Sequence, residues 1–281
     1  MNVRRILSLA QSGALLPYAL GRFATVRKVY SRLNGLRYPL DRRTSRGPVS
    51  DPIFPAVDVG RAVQELREDA VAFRFDLPTP LVDEIHDFAR RGLCKSSGFQ
   101  GHRHFEEIAS GQTIEGQRLA MAEVINPLGC DAIRRIVESE ALRQTCMRYL
   151  GYQPPKADIR LFWSFVSNLS ENERRQQFQT IDYHVDIHDF NFCYAHFYLT
   201  DTDARSGTHV MVRGSHTRKP LTWLIGSARK SDAQIASRYT SHDVLTIEGP
   251  AGTGFLEDTS CYHKALPPLE RMRLLLQIRY H

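Results

Sequence analysis

From Gly151 onward the chain is a succession of short runs rich in aromatic and β-branched residues: "DIRLFWSFV", "FNFCYAHFYLTD", "THVMVRG", "HDVLTIEG", "GTGFLED" and "RMRLLLQIRY". Gly, Pro, Asp and Ser separate them. Many short strands at even spacing, each closed by turn residues, point to a β-sandwich or barrel. The preceding stretch has a different texture. "VDVGRAVQELREDAVAFRF" reads as a helix running into a strand. "PTPLVDEIHDFARRGL" is helical in period, with Thr79 as the expected cap and Pro80 in the first turn. "CDAIRRIVESEALRQTCMRYLG" reads as one more helix, with Gly151 as its C-cap. The expected fold class is mainly β with flanking helices. One domain spans residues 51–281, with a helical first part at 58–150 and a β core at 151–281. Residues 217–243 interrupt the strands with a basic, partly helical insert.

Charge separates the N-terminus from this domain. Residues 1–50 hold ten Lys or Arg and one acid, Asp41, whereas the remainder holds 27 basic and 30 acidic residues. The extension therefore carries +9 and the body −3, which together give the formal net charge of +6. A nucleic-acid-binding fold carries its basic surface on the domain itself, so no nucleic-acid partner is expected. Residues 1–43 place apolar clusters at helical spacing among their arginines, and "TSRGPVSDPIFP" follows as a linker. Such a segment either packs on its own domain or lies on an anionic membrane surface. Nowhere do 18 apolar residues run together, so no spanning helix is expected. The five cysteines are odd in number, widely spaced and without a CxxC pair, which reads as a reduced, cytoplasmic protein, with membrane association as the open alternative.

The chemistry concentrates at 183–190, "YHVDIHDF". Along a strand, residues two apart share a face, so His184 and Asp186 project together and can grip one cation. Two His and one carboxylate on one face of an octahedron are the donor set of iron(II) oxygenases, and such a site needs one more His from elsewhere. The competing readings are polar residues in a strand-end turn, or zinc, although no cysteine sits at zinc-ligand spacing. His188 continues the same face, but three consecutive ligands on one extended strand close poorly around a small ion. It is expected outside the ligand set.

A second histidine, His263, stands 77 residues after Asp186 in "GPAGTGFLEDTSCYHKALPPLERMRLLLQIRY". HxD, a distant His and then an Arg, with "LTDTDARSGTHVMVRGSH" between them, resemble the phytanoyl-CoA dioxygenase-like branch of the iron(II)/2-oxoglutarate-dependent oxygenases. The resemblance runs over roughly residues 58–281 and is densest at 183–216 and 249–280. It implies a double-stranded β-helix of the jelly-roll or cupin type. His184, Asp186 and His263 match the metal ligands, and Arg273 matches the arginine that pairs with the distal carboxylate of 2-oxoglutarate. Arg271, expected on the same strand face, is the rival, but Tyr280 lies seven residues after Arg273, where the family pattern places an aromatic. Three departures are visible. Arg213 stands where Pro precedes Gly-Ser-His, Ala265 stands where relatives carry Ser, and the interval from His263 to Arg273 is one residue short.

The resemblance further implies iron(II), 2-oxoglutarate and dioxygen as cofactor and cosubstrates, and hydroxylation of an unactivated C–H bond in a small-molecule, lipid or glycan substrate. Related halogenases replace the ligating carboxylate with a small residue, and Asp186 is present here. A catalytically degenerate member that binds a ligand is the alternative. His196 is expected to face the barrel interior with Tyr194 and Tyr198, either touching cosubstrate or satisfied within the core.

Overall fold

Alternation along the C-terminal run decides the layering. Leu274, Leu276 and Ile278 point to one side of their strand and join the main apolar core, while Arg273, Leu275 and Gln277 point to the other side and face an internal cavity. One strand thus serves two environments with a period of two. The structure, a computed structural model, describes residues 15–40, 49–187 and 189–281.

Eight strands form one antiparallel sheet: β1 (Val71–Ala72), β2 (Leu93–Lys95), β3 (Arg103–His104), β4 (Met121–Val124), β5 (Ala157–Ser164), β6 (Cys193–Tyr198) and, further on, two strands that follow the small sheet's members in sequence. The small sheet contains β7 (His209–Val212), β8 (Val244–Ile247) and β10 (His263–Ala265), while β9 (Gly254–Glu257) and β11 (Arg273–Tyr280) complete the large one. The spatial order is β1-β9-β6-β11-β5-β4-β2-β3 in the large sheet and β10-β7-β8 in the small one. Two antiparallel sheets with flanking helices make a jelly-roll-like core.

Helices cover the outer face of the large sheet: α1 (Ala24–Arg37), α2 (Val59–Asp69), α3 (Thr79–Arg91) and α4 (Glu140–Leu150) among them. Their apolar stripes meet the sheet through Leu66, Ile85 and Leu142, which pack in one cluster with Phe197, Leu256 and Leu276. Each such side chain, fully buried, contributes about 1.5–3 kcal/mol. Between the sheets a smaller cluster joins Phe162, Tyr198, Met211, Phe255 and Leu275. On the far side of the small sheet, Val210, Val212 and Tyr262 pack with Ile235 and Tyr239 of the 217–243 insert, which holds the helices Leu221–Ile225 and Asp232–Ala236.

Three local expectations need correcting. Thr79 is the first residue of α3 and not its cap. Extended Pro78 holds that place, and its carbonyl accepts from Leu81 N (3.0 Å). The run 131–150 is two helices, not one. Ser139 accepts from Leu142 N and caps α4, while Asp51 takes the Ser139 hydroxyl (2.7 Å) and Ala141 N (3.0 Å) from a distant loop. Arg271 lies before β11 begins and so does not share a strand face with Arg273. Gly151 does end α4, at φ 82°, with its N–H donated to Met147 O (2.8 Å).

α1 packs on the domain. Arg27 is buried and pairs with Asp258 at 2.8 Å, Asn191 donates to Ser31 Oγ (2.8 Å), and Tyr30 stacks on Phe190. The opposite side leaves Leu33 and Leu36 exposed, at 61% and 83%. Residues 1–14 and 41–48, and with them much of the basic extension, lie outside the described residues, as does His188. Among the described residues no helix is long and apolar enough to cross a membrane.

Candidate metal centre

His184 forms an isolated antiparallel bridge with His263, the first residue of β10. His184 N donates to His263 O (2.9 Å), and His263 N donates to His184 O (3.0 Å). This reciprocal pair brings together two histidines far apart in sequence. Asp186 N then donates to Thr259 O (2.9 Å), which fixes where the carboxylate projects. The His184 and His263 rings lie 4.2 Å apart. Asp186 Oδ1 is 3.5 Å from His184 Nε2, and Asp186 Oδ2 is 3.9 Å from His263 Nε2. The three donors gather within 4.8 Å of one another.

Both rings are oriented by the same device. His184 Nδ1 lies 3.0 Å from Asp182 O and His263 Nδ1 lies 3.1 Å from Cys261 O. A carbonyl can only accept, so each Nδ1 carries the proton and each Nε2 presents a lone pair beside the carboxylate. Metal-bound histidines are characteristically held this way. Burial opposes a charge on His184, but the Asp186 carboxylate and the Asp182 carbonyl outweigh it and hold the ring above its ordinary value. Burial, together with repulsion from His184, pushes His263 down to about 4.

Arg273 opens β11 and lines the same cavity, which measures about 200 Å³. Its guanidinium is buried. Nη1 donates to Gly207 O, and Nη2 lies 3.5 Å from Ser164 Oγ. Gly207 has φ 87°, and an added Cβ would meet Leu266 O at 2.5 Å, so only glycine presents that carbonyl to Arg273. Among the described residues no carboxylate pairs with Arg273, and burial lowers its pKa. A buried cation without a counter-charge is costly, which makes this position suited to an incoming carboxylate. The rival Arg271 is half exposed and pairs with Asp203 at the surface.

Three further residues complete the interior, and two of them escaped the sequence reading. His196 is buried and lines the cavity, with its ring stacked on Tyr194 and Phe255. His209 projects from β7, and its Nε2 lies 2.8 Å from Glu257 Oε2, with His196 Nε2 at 3.5 Å from the same oxygen. Burial pushes both rings down to about 3 and raises the Glu257 carboxyl. The alternation of Phe255 and Glu257 on β9, and of His209 and Met211 on β7, was the available signal. Glu257, Cys261 and His263 also cluster, but the Cys261 thiol donates to Glu257 Oε1 (3.2 Å) and burial raises its pKa, which disfavours the thiolate a metal needs.

No protein-family model and no curated protein matches the chain. Solved structures do match in fold. The non-heme alpha-ketoglutarate dependent carbocyclase SnoK from nogalamycin biosynthesis is 14% identical, with 83% of this chain and 86% of that chain covered and a TM-score of 0.51. EvdO2 from Micromonospora carbonacea var. aurantiaca, complexed with 2-oxoglutarate, is 13% identical, with 80% and 91% covered and a TM-score of 0.52. The epimerase SnoN, in complex with Fe3+, alpha ketoglutarate and nogalamycin RO, is 17% identical, with 79% and 82% covered and a TM-score of 0.50. At these identities the likeness is one of fold.

Proposed function

We propose that this chain is an iron(II)- and 2-oxoglutarate-dependent oxygenase of the phytanoyl-CoA dioxygenase-like branch, built on a double-stranded β-helix, and that it hydroxylates a small-molecule C–H bond. One observation carries this reading. The donors of His184, Asp186 and His263 converge in the same cavity as the buried, carboxylate-free Arg273. The residues fit the cofactor. Two imidazoles with fixed Nδ1 protons and one carboxylate are the 2-His-1-carboxylate set of non-heme iron(II), which leaves positions open for cosubstrate and dioxygen. The fold likeness to proteins described as alpha-ketoglutarate dependent, one of them complexed with Fe3+, supports the same pair.

In this reading His184, Asp186 and His263 hold the iron. Arg273 takes the distal carboxylate of 2-oxoglutarate in a bidentate pair, with Ser164 beside it. Iron bound there supplies the oxidative chemistry that converts substrate, 2-oxoglutarate and dioxygen to hydroxylated substrate, succinate and carbon dioxide. The protein supplies orientation and dryness. Met121, Phe162 and Phe178 form an apolar part of the lining, and Arg160 adds a cation. Phe178 is 77% exposed and holds φ 61°, a costly conformation for a bulky residue, which marks it as a candidate substrate contact at the mouth. Lipid and glycan substrates would use the same opening. The exposed Val29, Leu33 and Leu36 beside Lys28 and Arg32 on α1 favour a second, compatible reading in which α1 touches an anionic membrane surface.

The test is anaerobic addition of iron(II) and 2-oxoglutarate, followed by air. A visible charge-transfer band and then succinate release are expected. A tight zinc site without the band refutes the oxygenase reading, and a band without succinate across a metabolite screen favours the degenerate binder.

A further inference from the structure

Behind the metal-bearing segments, on the side away from the cavity, lies a second cleft of about 450 Å³. α1 forms one wall, and the ends of α2 and α4 with the turn at Ser215–Thr217 form the rest. Its lining is unusually cationic. Arg27, Lys28, Arg32, Arg67 and Arg148 all contribute, and Asp258 is the one carboxylate. That carboxylate is already committed. Oδ2 pairs with Arg27 and accepts from the Tyr149 hydroxyl, while Oδ1 accepts from Ser260 N (3.0 Å). Among the described residues no carboxylate pairs with Lys28, Arg32 or Arg67.

Helix ends explain part of this arrangement. Arg67 Nη2 donates to Arg148 O (3.2 Å) near the C-terminus of α4, where carbonyls favour cations. That account does not reach Lys28 and Arg32, which belong to another element and add like charge to the same concavity. His216 also lines the cleft, 6% exposed, but its Nε2 donates to Arg67 O (3.2 Å) and burial lowers its pKa, so it adds no charge of its own. A concave surface of one sign concentrates field and draws a counter-ion.

We propose that this cleft binds a phosphoryl or pyrophosphoryl group of a ligand distinct from 2-oxoglutarate. Guanidinium forks match phosphate oxygens in pairs, which favours phosphate over a lone carboxylate where Arg32, Arg67 and Arg148 face one space. The excess of cations over carboxylates calls for more than one negative charge. The floor of the cleft also bears on the metal centre. Arg27 donates to Asn191 Oδ1 (2.6 Å), five residues after Asp186, and pairs with Asp258, five residues before His263. An anion bound here therefore shares side chains with both ligand-bearing segments.

The test uses the full-length, metal-free protein, so its outcome is independent of iron and of turnover. Pyrophosphate and inorganic phosphate are titrated calorimetrically at constant ionic strength, and anionic phospholipid vesicles are tested by sedimentation. Saturable pyrophosphate binding is expected, weakened more than tenfold in Arg32→Glu/Arg148→Glu. Because Arg148 also donates to Gln144 Oε1, the solvent-facing pair Lys28→Glu/Arg32→Glu provides a second variant that spares that bond. Vesicle binding without soluble binding, lost in both variants, assigns the phosphoryl group to a lipid headgroup. No saturable binding in either arm, or binding indifferent to both variants, overturns the proposal.

Discussion

Replacing Arg273 by Leu separates two consequences that a structural arginine would keep together. The guanidinium is 3% exposed, has no carboxylate partner among the described residues, and spends its donors on a carbonyl and a distant hydroxyl. Removing one partner of a desolvated charge pair costs on the order of 2–5 kcal/mol. The affinity for 2-oxoglutarate should then fall by a factor of roughly thirty to several thousand. Folding stability should behave differently. An unpaired buried charge is itself unfavourable, and an apolar side chain of similar bulk relieves that cost, partly offset by leaving the Gly207 carbonyl unsatisfied, at about 1–3 kcal/mol. The melting temperature of the cosubstrate-free variant should thus stay close to that of the unmodified protein or rise. The assay is anaerobic titration of the iron(II)–2-oxoglutarate band, with calorimetric melting of both proteins in parallel. Unchanged 2-oxoglutarate affinity refutes the reasoning, and so does the same loss produced by Arg271→Leu.

His184→Ala should abolish the charge-transfer band and reduce bound iron from about one per chain to none, read by metal analysis after desalting. Arg27→Met breaks a buried pair and leaves Asp258 uncompensated, so unfolding should become easier by about 3–5 kcal/mol in denaturant titration. A loss below about 1 kcal/mol, the usual value of a surface pair, would show that α1 does not brace the domain. Asp258 also sets a pH dependence. Burial opposes its charge, but Arg27 outweighs that and holds its folded pKa well below the ordinary carboxylate value. Its stabilisation is therefore complete above about pH 4 and is lost only as the pH falls further. Denaturant midpoints compared with Asp258→Asn should differ by a constant amount from pH 8 down to pH 5, and a gap that closes within that range contradicts the assignment.

The strands after Gly151 were legible in the sequence as short aromatic and β-branched runs closed by turn residues, whereas β2, β3 and β4 fall in the part expected to be helical. Leu274, Leu276 and Ile278 against Arg273, Leu275 and Gln277 can be read from a single run of letters. His184 and Asp186 were expected on one strand face, but only His184 makes an isolated bridge, and Asp186 is placed by its N–H on Thr259 O. The rest depended on contacts between distant segments. The break at Ser139 comes from Asp51, which lies 88 residues away and captures two groups of the incoming helix. The resemblance favoured Arg273 over Arg271 through its spacing to Tyr280, and the start of β11, set by pairing of Arg273 with Ser164, supplies the physical reason. Glu257 and His209 were passed over because a lone acid or histidine in an apolar run matches no motif. Only the approach of β7 to β9 makes them partners. The burial of Arg27 could not be read from a segment whose arginines all look alike.

Charge balance links these unnoticed residues to the proposed chemistry. In the proposed reading Asp186 is the ligating anion and Arg273 the cation without a carboxylate partner among the described residues, and they serve different ends of the bound cosubstrate. The other titratable groups add little charge of their own. His196 is held neutral by burial. His209 lies 2.8 Å from Glu257, and burial pushes its ring down to about 3 and raises the Glu257 carboxyl, so burial disfavours a charge on either. A divalent cation beside Asp186 leaves one positive charge there, and Arg273 contributes another. A dianion that reaches both offsets these two charges, whereas a monoanion leaves one of them uncompensated at a buried site, an expensive state. In the proposed reading a divalent metal and a dicarboxylate bind together, each removing the electrostatic cost that the other would meet alone.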